Sequence, residues 1–286
     1  MRAARLPDGA LPRGFHPIRV GADGRSVAGA ETGSGPPLLL LHGLGGTWRY
    51  WAPAMALLAG GARCIALDLP GFGQSDPSPG GFALDSAAGG LAAAMRSLGT
   101  GPAVICGHSL GGPLAVRLAR SHPDVATRLV LVGPSGIEPT PPWQKRALTL
   151  VPAYDVLRRA PVPWERGLLR VRPLRQAALG MLVNDPATVS LALARSLVDG
   201  AREARELPSA ARVSLDTGLA DEARAVAAPI AAIWGDRDRM VPPAHAERLL
   251  RAVPSATLHL LRACGHLPMV ERPEAFAALL AELAAA

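Results

Sequence analysis

The sequence predicts an α/β fold, a parallel sheet covered by helices. Three observations carry this. Short apolar runs alternate with longer segments of helical spacing, the pattern of strands joined by crossover helices. A hairpin opens the chain, and one long stretch, from Gly136 to about Ala210, breaks the alternation. At 286 residues the chain is long enough for one large domain with an insertion and a sizeable core.

The hairpin runs from His16 to Val20, turns at Ala22-Asp23-Gly24, and returns from Arg25 to Glu31. Buried strands are predicted at Leu38–Leu41, Cys64–Leu67, Ala103–Cys106, Leu129–Val132, Ile230–Trp234 and Thr257–Leu261. Helices are predicted between them at Trp48–Leu58, Leu84–Leu98, Leu110–Ser121, His245–Ala252 and Pro273–Leu283. Between Gly136 and Ala210 the text turns Pro- and Arg-rich and shows no strand-like run. So long a structureless loop is improbable inside a compact domain, so an inserted helical lid is expected there. Pro186, after Asn184-Asp185, is expected to open one of its helices. The resulting domains are a core of residues 1–136 and 211–286 and a cap of residues 137–210.

Composition removes several classes. Hydrophobic residues make up 49% and charged residues 19%, far from the regime of disorder. The three cysteines, Cys64, Cys106 and Cys264, are widely spaced, which suits buried free thiols rather than a disulfide framework or a zinc site. The N-terminal residues lack the apolar stretch of a signal peptide, and a cytoplasmic location is expected. The uncharged stretch Ser97–Val116 is interrupted by glycines and prolines, so it reads as strand, turn and helix start rather than a membrane span. The net charge of +7 would suit a nucleic-acid partner, but aromatics are only 4% and only one of the 30 basic residues is a lysine, which suggests compositional bias, so none is expected.

Gly107-His108-Ser109-Leu110-Gly111 follows one predicted strand and opens the next predicted helix. This is G-x-S-x-G in its strand–turn–helix setting. A turn this tight holds the serine in a strained conformation, and side chains at 107 and 111 would collide with neighbouring backbone. The serine Oγ is thereby raised at a strand's carboxyl end, where open α/β sheets bind ligands. The following helix N-terminus favours a developing oxyanion.

A nucleophilic serine needs a base, and the base needs an orienting acid. Seven histidines compete. His16 is expected to precede the fold's start, His42 and His108 sit inside turns, where their rings are expected to buttress loops, His122 ends a helix on the far side of the sheet, His245 begins one, and His259 is mid-strand. His266 alone sits in a loop after the last strand, beside a glycine. For the acid, Gly235-Asp236-Arg237-Asp238 ends the preceding strand; Asp238 is preferred, because three residues beyond the glycine its side chain points back at the histidine. Asp236 would then stabilise the turn. Two backbone N–H donors must face the oxyanion. One is expected from Leu110, the other from Leu44 in His42-Gly43-Leu44-Gly45-Gly46. This loop lacks the Lys-Ser/Thr ending of a phosphate cradle.

With these motifs in order, the chain resembles the α/β-hydrolase-fold serine hydrolases over nearly its whole length outside the lid. The matching pieces are HGLGG with Trp51 beyond it, DLPGFGQS (Asp68–Ser75), GHSLGG, WGDRD followed by Val241-Pro242, and GHLPMVERP (Gly265–Pro273). The resemblance implies an eight-stranded, mostly parallel sheet with a helical cap after the sixth strand. It also implies the triad Ser109, Asp238 and His266, and a structural turn at Asp68, Gly71 and Gly73. A serine nucleophile departs from the dehalogenase and epoxide-hydrolase branches, and HGLGGT departs from the HGxGPG form of carbon–carbon bond hydrolases.

The expected function is hydrolysis of carboxylic esters through an acyl-enzyme, with hydrophobic small to medium substrates and no metal or organic cofactor. Alternatives are a lyase, cyclase, perhydrolase or lactonase on the same serine site, or a ligand receptor with vestigial hydrolysis. Leu44, Leu110, Trp48, Trp143, Tyr154 and Trp164 are the expected contributors to the substrate pocket. Residues 137–175 hold eight basic and three acidic side chains, so most of the net charge sits in the first half of the lid. Either that is an ordinary solvated surface, or it meets an anionic membrane or steers acidic substrates.

Overall fold

Strands buried on both faces need apolar side chains at every position, and those at odd and even positions serve opposite layers. In the computed structural model, which describes residues 11–286 except 23, 139–141, 143–145, 147–148, 159–166 and 216–217, the chain meets this requirement. Leu39, Leu41, Ile65, Leu67, Ile105, Leu129, Leu131 and Trp234 face one buried layer. Their neighbours Leu38, Leu40, Cys64, Ala66, Cys106, Val130, Val132 and Ile233 face the other.

The strands among the described residues are β1 (Phe15–Ala22), β2 (Arg25–Thr32), β3 (Pro37–Leu41), β4 (Arg63–Leu67), β5 (Ala103–His108), β6 (Ala126–Val132), β7 (Ile230–Gly235) and β8 (Thr257–Leu261). They form one sheet in the order β1-β2-β4-β3-β5-β6-β7-β8. The β1–β2 and β2–β4 pairs are antiparallel; the others are parallel. This is the predicted sheet, and His16 lies within β1 rather than before the fold. The chain leaves β3 towards β4 and later returns to pair β5 against β3 from the other side. The carboxyl ends of β3 and β5 therefore flank a switch point, where open α/β sheets bind ligands.

Helices α1 (Ala52–Leu58), α2 (Leu84–Ser97) and α3 (Gly111–Ser121) make the first crossovers, as predicted. Trp48–Trp51 forms a short 3-10 turn ahead of α1 rather than part of it. The connection from β6 to β7 holds α4 (Val151–Arg158), α5 (Arg172–Leu179), α6 (Leu191–Glu203), α7 (Leu207–Leu215) and α8 (Leu219–Ala223). After β7 come α9 (Ala246–Ala252), α10 (Pro268–Glu271) and α11 (Pro273–Ala285). Pro186 does not open a helix. Asp185 holds a turn there by accepting from the Ala187 amide at 3.0 Å. The helix begins at Leu191, where the Ser190 hydroxyl accepts from the Leu193 amide at 3.2 Å and caps it.

The β6–β7 connection is rooted in the sheet's own core. Leu179, Val183, Ala194 and Leu197 join one apolar layer, and Ala204, Leu207 and Ala210 join the other. Arg158, 1% exposed, pins α4 to the end of α6: its guanidinium donates to the carbonyls of Arg202 (2.5 Å) and Ala204 and pairs with Asp155. A cation suits these carbonyls because the C-terminal end of a helix carries partial negative charge. Gly200 of α6 rides on the loop after β3; a Cβ there would stand 2.9 Å from the Gly45 carbonyl oxygen.

A valine at 200 must displace either α6 or that loop. Gly200→Val is expected to cost about 1–3 kcal/mol, read as a melting temperature several degrees below wild type. An unchanged melting temperature would show that α6 does not press on the loop.

Candidate active site

The turn between β5 and α3 is set by close backbone approach. A Cβ on Gly107 would lie 2.2 Å from the Gly111 carbonyl oxygen, and one on Gly111 would lie 2.3 Å from the Leu41 carbonyl oxygen of β3. No side chain fits either gap. The compression leaves Ser109 at φ +51°, where a non-glycine residue is strained by about 1–3 kcal/mol. Main-chain bonds hold it there: the Ser109 amide donates to the Val132 carbonyl at 3.0 Å, and its carbonyl accepts from Gly112 at 2.9 Å and Ser135 at 3.2 Å.

His266 and Asp238 meet beside the end of β6. The His266 ring donates Nδ1–H to Asp238 Oδ2 at 2.7 Å, and both side chains are buried. Asp238 Oδ1 accepts from the amides of Met240 (2.9 Å) and Val241 (2.8 Å), so both carboxylate oxygens are engaged. Nε2 is left as the free ring nitrogen of His266. A Cβ on Gly133, next after Val132, would stand 3.0 Å from Asp238 Oδ2 and 3.4 Å from His266 Nδ1. Ser109, Asp238 and His266 are thus gathered at the carboxyl ends of β5 to β8. The Asp236 carboxylate accepts from the Cys264 amide at 3.3 Å, the turn role expected of it.

The loop after β3 is braced by His42. Its Nε2 accepts from the Leu69 amide at 3.0 Å, which fixes the tautomer, and Nδ1–H donates to the Gly43 carbonyl at 2.8 Å. Leu44 of this loop is 36% exposed. The side chain of Leu110 is fully enclosed in the core, so it does not shape a pocket. Trp48 is likewise packing, not a pocket wall: it is buried, with its ring 6.2 Å from that of Phe15 and under the Arg49 guanidinium. Its main chain matters more, since the Trp48 amide donates to Asp68 Oδ1 at 2.8 Å while Oδ2 accepts from Gln74 at 3.0 Å. Tyr154 of α4 is half-buried against the core and interacts electrostatically with Tyr50, whose hydroxyl donates to the Gly45 carbonyl at 3.2 Å. Trp143 and Trp164 lie outside the described residues.

Two further side chains hold the His266 main chain. Glu271, five residues on, accepts from the amides of Gly265 (3.0 Å), Leu267 (3.3 Å) and Asn184 (2.7 Å). The His266 amide between them donates to the Leu182 carbonyl at 2.9 Å. His108 donates Nε2–H to the His266 carbonyl at 2.8 Å, and the two rings lie 4.6 Å apart. The motif GHLPMVERP contains Glu271, but its role escaped the sequence reading. The available signal was Pro268, which starts a one-turn helix that folds the carboxylate back onto the loop.

Residues 36–273 match the sequence profile of the α/β hydrolase fold, and the chain belongs to that family. It is 31% identical over 265 residues to the dihydrolipoyllysine-residue acetyltransferase component of the acetoin cleaving system of Cupriavidus necator. That match covers 90% of this chain but 64% of the relative, so the chain spans less than two thirds of that protein. It is 31% identical over 258 residues to the pimeloyl-[acyl-carrier protein] methyl ester esterase of Aromatoleum aromaticum, covering 87% of this chain and 98% of that one. Among solved structures, a membrane phospholipase A described as a bacterial virulence factor superposes with a TM-score of 0.75 at 27% identity, covering 93% of this chain and 84% of that one.

Burial sets opposed pH responses beneath the site. It lowers His42 from 6.5 to about 4, against a smaller upward pull from its bond to Gly43. It raises Asp68 from 3.8 to about 6, opposed by the amides of Gln74 and Trp48. Burial also holds His108 well below the usual histidine range, with the neighbouring His266 adding to the effect. The depressed histidines contribute stability that is lost as pH falls from 6.5 towards 4. Asp68, raised, contributes in the opposite sense: its stabilisation is present below 3.8 and lost as pH rises through about 6. In Asp68→Asn the opposing slope is gone, so the melting temperature should fall more steeply on acidification from pH 6.5 to 4 than in wild type. A shallower fall in the variant would contradict the buried charge states of this pair.

Proposed function

We propose that this hydrolase-family chain is a serine hydrolase that cleaves carboxylic esters of hydrophobic, small to medium size through an acyl-enzyme. The observation that carries the reading is the buried His266–Asp238 pair at 2.7 Å, at the same sheet edge as a serine forced to φ +51°. Asp238 fixes the imidazole tautomer and stabilises its cation. His266 Nε2 takes the Ser109 proton, and Ser109 Oγ attacks the ester carbonyl. The main-chain N–H groups of Leu44 and Leu110 hold the oxyanion. The alcohol leaves with the proton from His266, and a water activated by the same base releases the acid. Glu271 and His108 keep the base in place by its main chain.

Residues 137–210 are proposed to act as a cap over this edge, with Tyr154 and Leu44 among the groups that meet substrate. The esterase relative, which this chain covers almost end to end, supports an ester over other acyl compounds.

The test is turnover on a p-nitrophenyl ester chain-length series. Ser109→Ala should lower kcat by about 10⁴–10⁶, and Asp238→Asn by about 10⁴ with little loss of folding. Undiminished ester hydrolysis by Ser109→Ala would refute the acyl-enzyme, and wild-type turnover confined to other acyl compounds would refute the ester.

A further inference from the structure

Helix α5 is apolar on the side that faces away from the core. Its inner side is accounted for: Leu179 is buried, as are Leu169 before it and Val183 after it. Yet Val171, Leu174, Ala178 and Met181, spaced three or four residues apart, are also exposed, Val171 at 49% and Leu174 at 46%. That spacing places them on one side of the helix and its two ends. Leu168 is exposed just ahead of them, and Leu150, Val156 and Leu157 are exposed earlier in the same connection. A soluble surface helix ordinarily turns charged and polar groups outward, so a run of exposed aliphatics points to something that covers it.

The charge says what kind of partner. Arg170 and Arg172 are exposed within the row, and Arg175 is half-buried with its guanidinium on the Leu169 carbonyl at 3.1 Å. No acidic residue occurs from Gly167 to Asn184. A second copy of the chain would bring like charges face to face. An anionic surface would be attracted. The row is a single line of aliphatics without the large aromatic anchors that protein interfaces favour. A fluid interface accepts such a line, with aliphatics at the acyl boundary and the arginines reaching back to the phosphates. No helix among the described residues is long and apolar enough to cross a membrane, so the contact is peripheral.

The position ties the surface to the site. Just beyond α5, the Gly180 carbonyl accepts from Arg239 at 3.0 Å and the Leu182 carbonyl from the His266 amide at 2.9 Å. We propose that the outward side of α5 docks on an anionic lipid surface and brings the rim of the site to that interface. The docking itself does not depend on ester hydrolysis.

Cosedimentation of the full chain with phosphatidylcholine vesicles, with and without phosphatidylglycerol, tests this by binding alone. Partition into the phosphatidylglycerol vesicles is expected, with little into phosphatidylcholine, and it should weaken with salt. Val171→Asp with Leu174→Asp should reduce it by about tenfold or more. Arg170→Gln and Arg172→Gln should each reduce it by about fivefold. Both sets are surface substitutions, and an unchanged melting temperature would show that the fold is intact. The proposal is overturned by no partition into anionic vesicles, or by partition insensitive to the aspartate pair. It is equally overturned by a dimer in gel filtration that the aspartate pair dissolves, or by retention on polyglutamate that matches the vesicles. Because no turnover is measured, these outcomes are separate from failure of the esterase reading.

Discussion

The site depends on one steric constraint, the contact of backbone with backbone where β5 runs into α3. Gly111 lies against the Leu41 carbonyl and Gly107 against the Gly111 carbonyl, with no room for a Cβ at either place. That compression lets the helix start directly above the strand, and it forces Ser109 into its left-handed conformation. It also brings the loop after β3 against the serine: a Cβ on Gly43 would stand 2.9 Å from Ser109 Cβ. Ser109 and the expected oxyanion loop are therefore neighbours because β3 and β5 are neighbours in the sheet, at the point where the strand order reverses.

Around this contact, main-chain groups are held by buried side chains rather than by regular structure. His42 spans Gly43 and Leu69, Asp68 spans Trp48 and Gln74, and Glu271 spans Gly265, Leu267 and Asn184. Loops that leave a buried sheet edge expose N–H and C=O groups that must be satisfied, and each of these side chains satisfies two or three at once. The buried histidines do this as neutral rings, because desolvation disfavours the cation. His266 differs in having a carboxylate partner, Asp238, at 2.7 Å from its ring.

The β6–β7 connection is bound to the same loops. Leu182 accepts from His266, Asn184 shares Glu271 with the histidine loop, and Gly200 sits on Gly45. Glu206 accepts from the Ser78 amide at 2.5 Å, and the Arg205 amide donates to the Gly71 carbonyl at 2.6 Å. A displacement of this segment as a rigid body would strip hydrogen bonds from the His266 loop and from the loop after β4 together. The excess positive charge first seen as a bulk number lies on the first half of this segment, beside aliphatics that face outward.

Strand positions, crossover helices and the serine turn were legible in the sequence because they rest on local physics. An alternating or continuous apolar run specifies a buried strand, and glycines two residues either side of a serine specify a tight turn. The choice of Asp238 over Asp236 was equally local, since it followed from the reach of a side chain past a glycine. Elsewhere local pattern misled. Trp48 reads as a pocket aromatic, but its ring turns to Phe15, more than thirty residues earlier in the chain. Pro186 reads as a helix start, but Asp185 closes a turn there. The bond of Glu271 to the Asn184 amide and the particular partner of His108, the His266 carbonyl, were beyond the sequence, because only the closed fold brings those main-chain groups within reach. Sequence by itself determined the elements and the tight serine turn, which depend on neighbours along the chain. Tertiary structure alone decided which side chains hold the His266 loop, which aromatics are core and which aliphatics face out, because those depend on neighbours in space.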